Sequence, residues 1–500
     1  MEGEQSNPDP NIIEMNNSTS VLHKIANMYA EQLMSDICLV VGDNRYPAHR
    51  VILCASSEVF QVMLMNPEWN ECRESVIELK EEPCCVEVFP QFLKYLYVGQ
   101  IRISLTAVMP MLALADKYNI KDLVQLCVDY MLKHISKAAT QGVLVSWLHY
   151  TISFSPYHQE ITDAIQHFLK YNLDIIAEAR DFVDLDINIL IALLQQNDLV
   201  LKNEYELFTY AENWFNMKKQ QIDHEQTTSS ITDEEKAQNL RDMLRSIFIH
   251  IRYPMMSPRD LANLLLKQTI KQDADFFVER ISIGMIYHSG QVECVEKVQR
   301  TAEGALQFTP RLYTSDTYSI RIDVPDFENV ENYKKFGGCF FSLRSLAEQE
   351  NPDQDDIDFY QWDIDFYPRG IRHGKAQIIN VYNLPGSLEI PEVLLRTVRL
   401  SVTCKSNLEI DQKFMIGVLI TGVQNDIKHV RTVHVCTSYF SKTNPTLNID
   451  NLLPYGELEL STIKLSPHLI GKERNLLNLQ VIIVPMGVYT CYDTIPFEFK

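Results

Sequence analysis

The chain has 500 residues, a formal net charge of −21 and eleven cysteines. This length predicts two to four domains, each large enough to bury a hydrophobic core. The acidic balance argues against a nucleic-acid-binding protein, because phosphate binding needs a basic face. No stretch approaches eighteen consecutive apolar residues, so we expect no membrane partner and no membrane-spanning helix.

The cysteines and the N-terminus favour a cytoplasmic protein, with the nucleus as a second compartment. The cysteine number is odd, and the close pair Cys84-Cys85 has neither a histidine nor a second pair at zinc spacing. We therefore expect reduced thiols, with no metal and no cofactor. Residues 1–17 are rich in Asn, Pro and Glu, lack the features of a secretory signal, and are expected to be disordered.

The stretch from Ser35 to Met131 predicts a small α+β domain. Alternating apolar residues at Ile37, Leu39 and Val41 indicate a strand, and the Gly42-Asp43-Asn44 turn leads into a second strand. Apolar residues then recur at the spacing of one buried helix face, at Phe89, Phe92, Leu93, Leu96 and Tyr97. Periodicity alone predicts a compact, helix-rich domain with a small sheet.

Motif order and spacing in this stretch resemble the BTB (POZ) family. The matching residues are Ser35-Asp36-Ile37, Tyr46, Ala48-His49-Arg50, Leu53, Ser56-Ser57, Phe60 and Leu114-Ala115-Asp116-Lys117-Tyr118. The resemblance implies a protein-interaction module without catalysis, usually a homodimer. We place this BTB domain at residues 18–134.

The first helix is expected to contribute to the dimer interface. Residues 18–34 carry an apolar stripe that should be buried against another surface, formed by Leu22, Ile25, Ala26, Tyr29 and Leu33. In BTB proteins this helix forms much of the dimer interface, and Asp36 and Arg50 occupy the positions of an opposite-charge pair. That pair is interpreted either as a charged pocket of the dimer face or as a structural ion pair, and we favour the second. The predicted interface is Leu22, Ile25, Tyr29, Leu33, Asp36 and Arg50.

Trp69-Asn70-Glu71 occupies the position of the cullin-binding signature of BTB domains, an apolar residue followed two positions later by Glu. The family usually has Met or Leu where this chain has the bulkier Trp. A buried aromatic anchor flanked by a charge has the composition expected of a binding hot spot. The resemblance therefore implies that Trp69 and Glu71 contact cullin-3, with an ordinary surface loop as the alternative.

Residues 135–285 are helical in pattern and resemble the BACK domain, which follows BTB in this family. The resemblance is carried by Leu199-Val200-Leu201, Glu204, Leu207-Phe208, Trp214 and Arg252-Tyr253-Pro254. It implies an all-α spacer whose first helices extend the cullin groove. The polar segment 217–231 is predicted to be a loop, and residues 286–310 are predicted to be a linker.

From residue 311 to 500 the pattern changes to period 2, which indicates an antiparallel β-sandwich. Strands are predicted at 318–324, 398–404, 414–420, 430–436 and 479–484. The segment Phe359 to Ile371, with Trp362, Pro368 and Gly370, is similar to the MATH/TRAF signature, and another sandwich such as a jelly roll is the alternative. The acidic stretch 349–358 lacks the spacing of a calcium loop and is expected to be solvated.

These patterns together predict a multidomain protein with an α+β BTB domain, an all-α BACK domain and an all-β TRAF-like sandwich. No phosphate-binding glycine motif, nucleophile elbow or metal-ligating set occurs, so we expect no enzyme activity. The predicted function is a dimeric adaptor that docks cullin-3 through Trp69 and Glu71 and presents an unidentified protein substrate on the sandwich for ubiquitination. The alternative is a dimeric BTB scaffold with no cullin partner.

Overall fold

The computed structural model describes residues 16–153, 157–225, 233–343, 359–372, 394–408, 411–459 and 463–486. Most of the segment expected to be disordered and the whole acidic stretch 349–358 lie outside these ranges. The chain divides into two compact units, with the boundary between His134 and Ile135. No helix of the described residues is long and apolar enough to cross a membrane.

The first unit combines a three-stranded sheet with a set of helices. In chain order its elements are α1 (Ser18–Ala30), β1 (Ile37–Val41), β2 (Asn44–Ala48), α2 (Arg50–Ser56), α3 (Glu58–Met65), β3 (Val76–Leu79), α4 (Pro83–Val98), α5 (Val108–Lys117) and α6 (Lys121–Lys133). The strand order is β2-β1-β3, with β1 antiparallel to β2 and parallel to β3. Gly42 adopts a positive φ in the tight β1–β2 turn, as the sequence predicts.

Aromatic packing joins the helices of this unit. The ring of Phe60 on α3 stacks on Tyr118, with centroids 4.4 Å apart, and Phe92 on α4 packs against the same tyrosine. The hydroxyl of Ser57 accepts a hydrogen bond from the Phe60 backbone and so caps α3. Helix α1 ends at Ala30, four residues earlier than predicted, because the chain turns through positive φ at Gln32 and Met34.

The second unit begins with a helical region that continues to Gln307, beyond the predicted end at residue 285. They are α7 (Ile135–Gln141), α8 (Leu144–Ser153), α9 (Gln159–Tyr171), α10 (Leu173–Ala177), α11 (Ile187–Gln195), α12 (Glu204–Glu225), α13 (Asp233–Phe248), α14 (Pro258–Leu264), α15 (Gln268–Gln272), α16 (Ala274–His288), α17 (Val292–Gln299) and α18 (Ala302–Gln307). The loop prediction is wrong for residues 217–225, which continue α12, and residues 226–231 lie outside the described ranges. The expected linker contains two of these helices, α17 and α18.

The strands of this unit form a sandwich of two sheets, confirming the predicted all-β fold, and two additional two-stranded sheets. They are β4 (Val200–Leu201), β5 (Leu312–Tyr313), β6 (Ser319–Val324), β7 (Phe336–Leu343), β8 (Phe359–Tyr367), β9 (Ile371–Arg372), β10 (Leu394–Leu395), β11 (Arg399–Cys404), β12 (Gln412–Gln424), β13 (Ile427–Phe440), β14 (Thr446–Ile449), β15 (Leu469–Ile470) and β16 (Leu476–Pro485). One sheet has the order β14-β11-β8-β7; the other runs β13-β12-β16, with β6 and β15 paired to β16.

Between the two sheets lies an aromatic core centred on Trp362. Its ring meets Phe414 and Phe440 edge-on, with centroid distances of 4.8 and 5.1 Å. The indole N–H donates to the hydroxyl of Ser342 at 2.8 Å, which satisfies the only polar atom of this buried side chain. The tryptophan of the MATH/TRAF signature therefore serves as the centre of the core.

Strand β12 is apolar on both faces because both faces are buried. Phe414, Ile416 and Val418 point into the sandwich core. A second cluster covers the opposite face of the sheet and includes side chains from the helical part of the unit: Tyr171, Val200, Leu312, Met415, Leu419, Ile482, Val484 and Met486. A nearly continuous apolar run is the expected signature of a strand buried on two sides.

A buried charged network lies where the chain enters the sandwich. Arg311 and Glu204 form an ion pair with both side chains fully buried. The Glu204 carboxylate also accepts hydrogen bonds from the Tyr313 hydroxyl at 2.9 Å and from the Arg252 backbone N–H at 3.3 Å. Arg252 is likewise buried and donates to the carbonyl of Thr309 and to the side chain of Asn197.

This network predicts acid sensitivity of the second unit. Burial, with Arg311 and Arg252 nearby, lowers the pKa of His250 to about 4, whereas an unperturbed histidine titrates near pH ~6.5. Between these values the unfolded chain binds a proton that the folded chain does not, so stability present above pH ~6.5 is lost as the pH falls. We expect the free energy of unfolding to decrease by on the order of 2 kcal/mol over that window.

Urea denaturation of the full chain at pH 7 and pH 4.5 measures this decrease. His250→Gln should flatten the pH dependence. An unchanged pH dependence in His250→Gln would contradict the assignment.

Candidate protein-interaction surfaces

An exposed apolar surface extends from α3 into the turn that carries Trp69. We call it the Trp69 surface and define it by Val59, Val62, Met65 and Trp69 together with Glu71. About half of the Trp69 side chain is exposed (47%), and Val62 and Met65 are exposed at 52% and 62%. Val59, Val62 and Met65 lie on the side of α3 away from its buried residues, Phe60 and Leu64. The fold thus presents apolar area to solvent at the position where the sequence predicts a cullin contact.

The turn that carries Trp69 is ordered by its own hydrogen bonds. The Trp69 backbone N–H donates to the carbonyl of Asn66 at 3.1 Å, and Asn70–Cys72 form one turn of 3₁₀ helix. Among the described residues, the Glu71 carboxylate forms no hydrogen bond or ion pair. An aromatic side chain beside an acceptor without a partner suits a surface that binds another protein.

Arg50 holds this turn against the domain. Its guanidinium donates to three backbone carbonyls: Leu64 at 3.3 Å, Glu71 at 3.4 Å and Glu74. One planar, permanently charged group therefore joins the end of α3 to both ends of the turn. Arg50 positions the Trp69 surface from within its own domain.

The predicted side-chain ion pair between Asp36 and Arg50 is replaced by two separate contacts. The Asp36 carboxylate accepts a hydrogen bond from the Arg50 backbone N–H at 2.9 Å, at the first turn of α2. A carboxylate is stabilising there because helix N-termini carry unpaired N–H groups and a partial positive charge. The guanidinium is meanwhile occupied by the carbonyls around Trp69. Asp36 is exposed, and its place in a dimer interface stays a prediction.

A second exposed apolar surface lies along α1, none of whose residues is buried. The outward side chains include Val21 and Leu22, at 53% and 52% exposure, and Leu33 in the turn after the helix, at 49%. Ile25 and Tyr29 are half-buried. Such a stripe on a helix normally packs against something, so this surface is a candidate for subunit association.

Tyr29 and His49 attach α1 to the rest of its domain. The Tyr29 ring lies 5.1 Å from that of Tyr97, and its hydroxyl donates to the carbonyl of Pro90. His49 is a hydrogen-bonded core histidine, as predicted: its Nε2–H donates to the carbonyl of Leu33 and its Nδ1 accepts from the Tyr97 hydroxyl. Burial raises the pKa of Tyr97 to about 12, which keeps that hydroxyl protonated and able to donate. Tyr29 therefore has a role within the domain in addition to any role between subunits.

The sequence interpretation missed two features of these surfaces. Val59, Val62 and Met65 extend the Trp69 surface, and their spacing of three along a helix is the signal that could have identified them. The clamp by Arg50 has no sequence signal, because its acceptors are backbone carbonyls, which every residue has. Among the described residues, no group of three or more metal-ligating side chains comes together.

Comparison with known families matches three successive parts of the chain. Residues 26–135 match the BTB/POZ domain, residues 144–231 match the BACK domain (BTB And C-terminal Kelch), and residues 308–487 match the BTBD17 TRAF domain. These matches follow the order of the two folded units and confirm the resemblance inferred from the motifs.

Curated relatives with similar sequences include proteins of two names. The chain is 26% identical over 262 residues to "BTB/POZ domain-containing protein 17" of Xenopus laevis, covering 51% of this chain and 50% of the relative. It is 32% identical over 206 residues to the protein of that name from Homo sapiens, covering 40% and 41%. It is 25% identical over 263 residues to "Kelch-like protein 7" of Homo sapiens, covering 52% and 40%. The chain thus spans half or less of the length of these relatives.

The Arg50 clamp predicts a specific loosening of the Trp69 turn. Arg50→Lys keeps the charge but cannot reach three carbonyls with one planar group. We expect the backbone amides of Trp69, Cys72 and Arg73 to exchange with deuterium at least about tenfold faster, equivalent to ~1.4 kcal/mol, while the sheet exchanges as in the wild type. Hydrogen-exchange mass spectrometry measures this, with Arg45→Lys, an exposed arginine of β2, as the control. Equal exchange of the turn in both variants would contradict the clamp.

Proposed function

We propose that this chain, a BTB–BACK protein with a C-terminal TRAF domain of the BTBD17 type, is a non-catalytic cullin-3 adaptor. The observation that carries the proposal is the exposed, pre-ordered Trp69 surface. BTB proteins of the resembling family bind cullin-3 at this position, through an apolar residue and a glutamate two positions later. Here Trp69 and Glu71 fill those places. The sandwich would then bind the protein substrate.

Proximity is the proposed mechanism. An adaptor performs no chemistry, since it raises the effective concentration of target lysines near the ubiquitin-charged enzyme on the cullin scaffold. A dimer doubles the number of sites for both partners and strengthens binding to clustered targets by avidity. The BTB unit supplies the apolar surfaces for self-association and cullin binding, and no cofactor or reactive side chain is required.

Trp69 fits the size and exposure of a hot spot. An aromatic side chain that is half exposed in the free protein gains burial when a partner groove covers it. The departure from the usual Met or Leu increases the area that can be buried, and it requires a groove wide enough for an indole. The acidic neighbours Glu68, Glu71 and Glu74 favour a partner surface with basic residues.

The proposed compartment is the cytoplasm, with the nucleus as the alternative. The ten cysteines in the described part of the chain are all free thiols, and seven of them are at least partly shielded from solvent. Free thiols are typical of the reducing cytosol and nucleus, whereas exported proteins usually form disulfides.

Substitution of Trp69 tests the cullin contact. Trp69→Ala should weaken binding of the cullin-3 N-terminal region by about 30-fold or more, because truncating a hot-spot aromatic costs roughly 2 kcal/mol or more. Glu71→Ala should weaken it by a smaller factor. Binding is measured by calorimetry or surface plasmon resonance on the full-length chain.

Tyr439→Ala is the matched control, since this exposed aromatic lies on the sandwich. It should retain wild-type affinity for cullin-3. Failure of the wild type to bind cullin-3 at micromolar concentration would overturn the adaptor proposal, and a persisting dimer would then support the alternative of a BTB scaffold without a cullin.

The dimer proposal is tested on α1. A buried charge without a partner is strongly unfavourable, so Leu22→Asp should dissociate a dimer that buries this helix. Light scattering coupled to size-exclusion chromatography should give about twice the chain mass of 57.9 kDa for the wild type and the monomer mass for the variant. Leu266→Asp adds the same charge at an exposed leucine of the second unit and should remain dimeric. A monomeric wild type would refute the proposal.

A further inference from the structure

The BACK helices and the sandwich are joined by contacts of several different kinds. We define the joint as the contacts between residues 135–307 and residues 311–486, all of which belong to the second unit. Its centre is the apolar cluster on the outer face of β12 and β16, where Tyr171 and Val200 from the helical part meet Met415 and Ile482 from the sheet. Separating the two parts would return this apolar area to water.

Leu312 packs closely against the sandwich face over Gly417. A Cβ atom built on Gly417 of β12 would lie 2.7 Å from the Leu312 side chain. Parallel pairing of β4 with β5 holds Leu312 in place, because the backbone of Leu312 hydrogen-bonds to that of Leu199 at 3.2 Å. The strand entering the sandwich is therefore part of a small sheet with the helical domain.

Two polar clasps lie on β12 and β13, away from this contact. The Asn172 side chain pairs with the backbone of Val430 in both directions, accepting from its N–H at 2.6 Å and donating to its carbonyl at 3.0 Å. Ser136 at the start of α7 donates twice to Gln424, from its backbone N–H to the side-chain oxygen at 3.0 Å and from its hydroxyl to the backbone carbonyl at 2.9 Å. In each clasp, a side chain of one part forms a hydrogen bond with a backbone group of the other part.

The Phe168 ring of α9 completes this side of the joint, lying 5.4 Å from the ring of His429 on β13. The buried Arg311–Glu204 pair adds a charged contact to the joint, and Arg311 also donates to the carbonyls of Gln196 and His250. Opening the joint would expose apolar surface and leave buried charged and polar groups unpaired at the same time. Such a contact set does not form a hinge.

We propose that the BACK helices and the sandwich form a single rigid arm, which folds as one cooperative unit and holds the sandwich in one orientation relative to the BACK domain. The outer face of the β13-β12-β16 sheet is then permanently occupied. Any target of the sandwich binds elsewhere on it. This inference concerns the joint and holds whether or not the chain binds cullin-3.

Hydrogen exchange on the full chain tests cooperativity. In the wild type, the most protected amides of α9 and of β13 should exchange at the same rate, through one shared opening. Asn172→Ala, which removes a clasp, and Glu204→Gln, which removes the buried charge pair, should separate the two regions, with exchange rates that differ by tenfold or more.

Two control variants weaken the helical domain without touching the joint. Glu212→Gln removes the partner of Lys267, and Asp273→Asn removes the partner of Arg245. If the arm is one unit, both controls should accelerate α9 and β13 together, by the same factor. Separate exchange rates for α9 and β13 in the wild type, or separation in the controls, would overturn the proposal.

A distance measurement keeps the test independent of variant stability. Spin labels are placed on Cys294 in α17 and Cys339 in β7, both exposed, in a chain carrying Cys84→Ser and Cys491→Ser. The labelled protein is diluted with unlabelled protein so that only distances within one chain are measured. Pulsed electron paramagnetic resonance should then give one narrow distance distribution between the two labels. A broad or two-peaked distribution would show a flexible connection and overturn the rigid arm.

Discussion

The ion pair between Arg311 and Glu204 is the constraint on which the second unit depends. Two opposite charges withdrawn completely from water are tolerated only when every donor and acceptor around them is satisfied. The structure meets this condition. The Glu204 carboxylate also accepts hydrogen bonds from the Tyr313 hydroxyl and the Arg252 backbone N–H. Arg311 also donates to the carbonyls of Leu194, Gln196 and His250. Because these partners come from distant parts of the chain, the helical domain and the entry to the sandwich must be assembled around the same pair.

Two large apolar surfaces differ in whether the chain itself covers them. In the second unit the outer face of β12 is buried by the helical domain, so its apolar side chains already have partners within the chain. In the first unit, Leu22 on α1 and Val62, Met65 and Trp69 around α3 remain exposed. Exposed apolar groups grouped on one domain indicate protein association. The division supports an adaptor in which the first unit provides apolar association surfaces and the second presents a preformed arm.

The sequence predicted elements with a clear period and missed those without one. Strands β11, β12 and β16 were predicted because apolar residues alternate or run continuously. Strand β7 was missed because Gly337 and Gly338 interrupt the pattern, and Gly337 lies so close to the Ile364 carbonyl that a side chain would not fit. The extension of α12 to Glu225 was missed because its side chains are polar, although helical hydrogen bonding continues. The Arg311–Glu204 pair joins residues 107 positions apart, a pairing that one sequence does not reveal.

Arg50 shows how a correct residue can be given an incomplete role. The motif predicted an ion pair with Asp36, and in the structure the guanidinium instead holds the turn that carries Trp69. Asp36 in turn caps the helix that begins with Arg50. Asp36 and Arg50 are therefore coupled through the backbone of α2, and together they affect the orientation of the Trp69 surface. Loss of Arg50 would weaken the binding of a partner at that surface without changing the self-association proposed for α1. The oligomeric state and the partner affinity must therefore be measured separately to assign the role of Arg50.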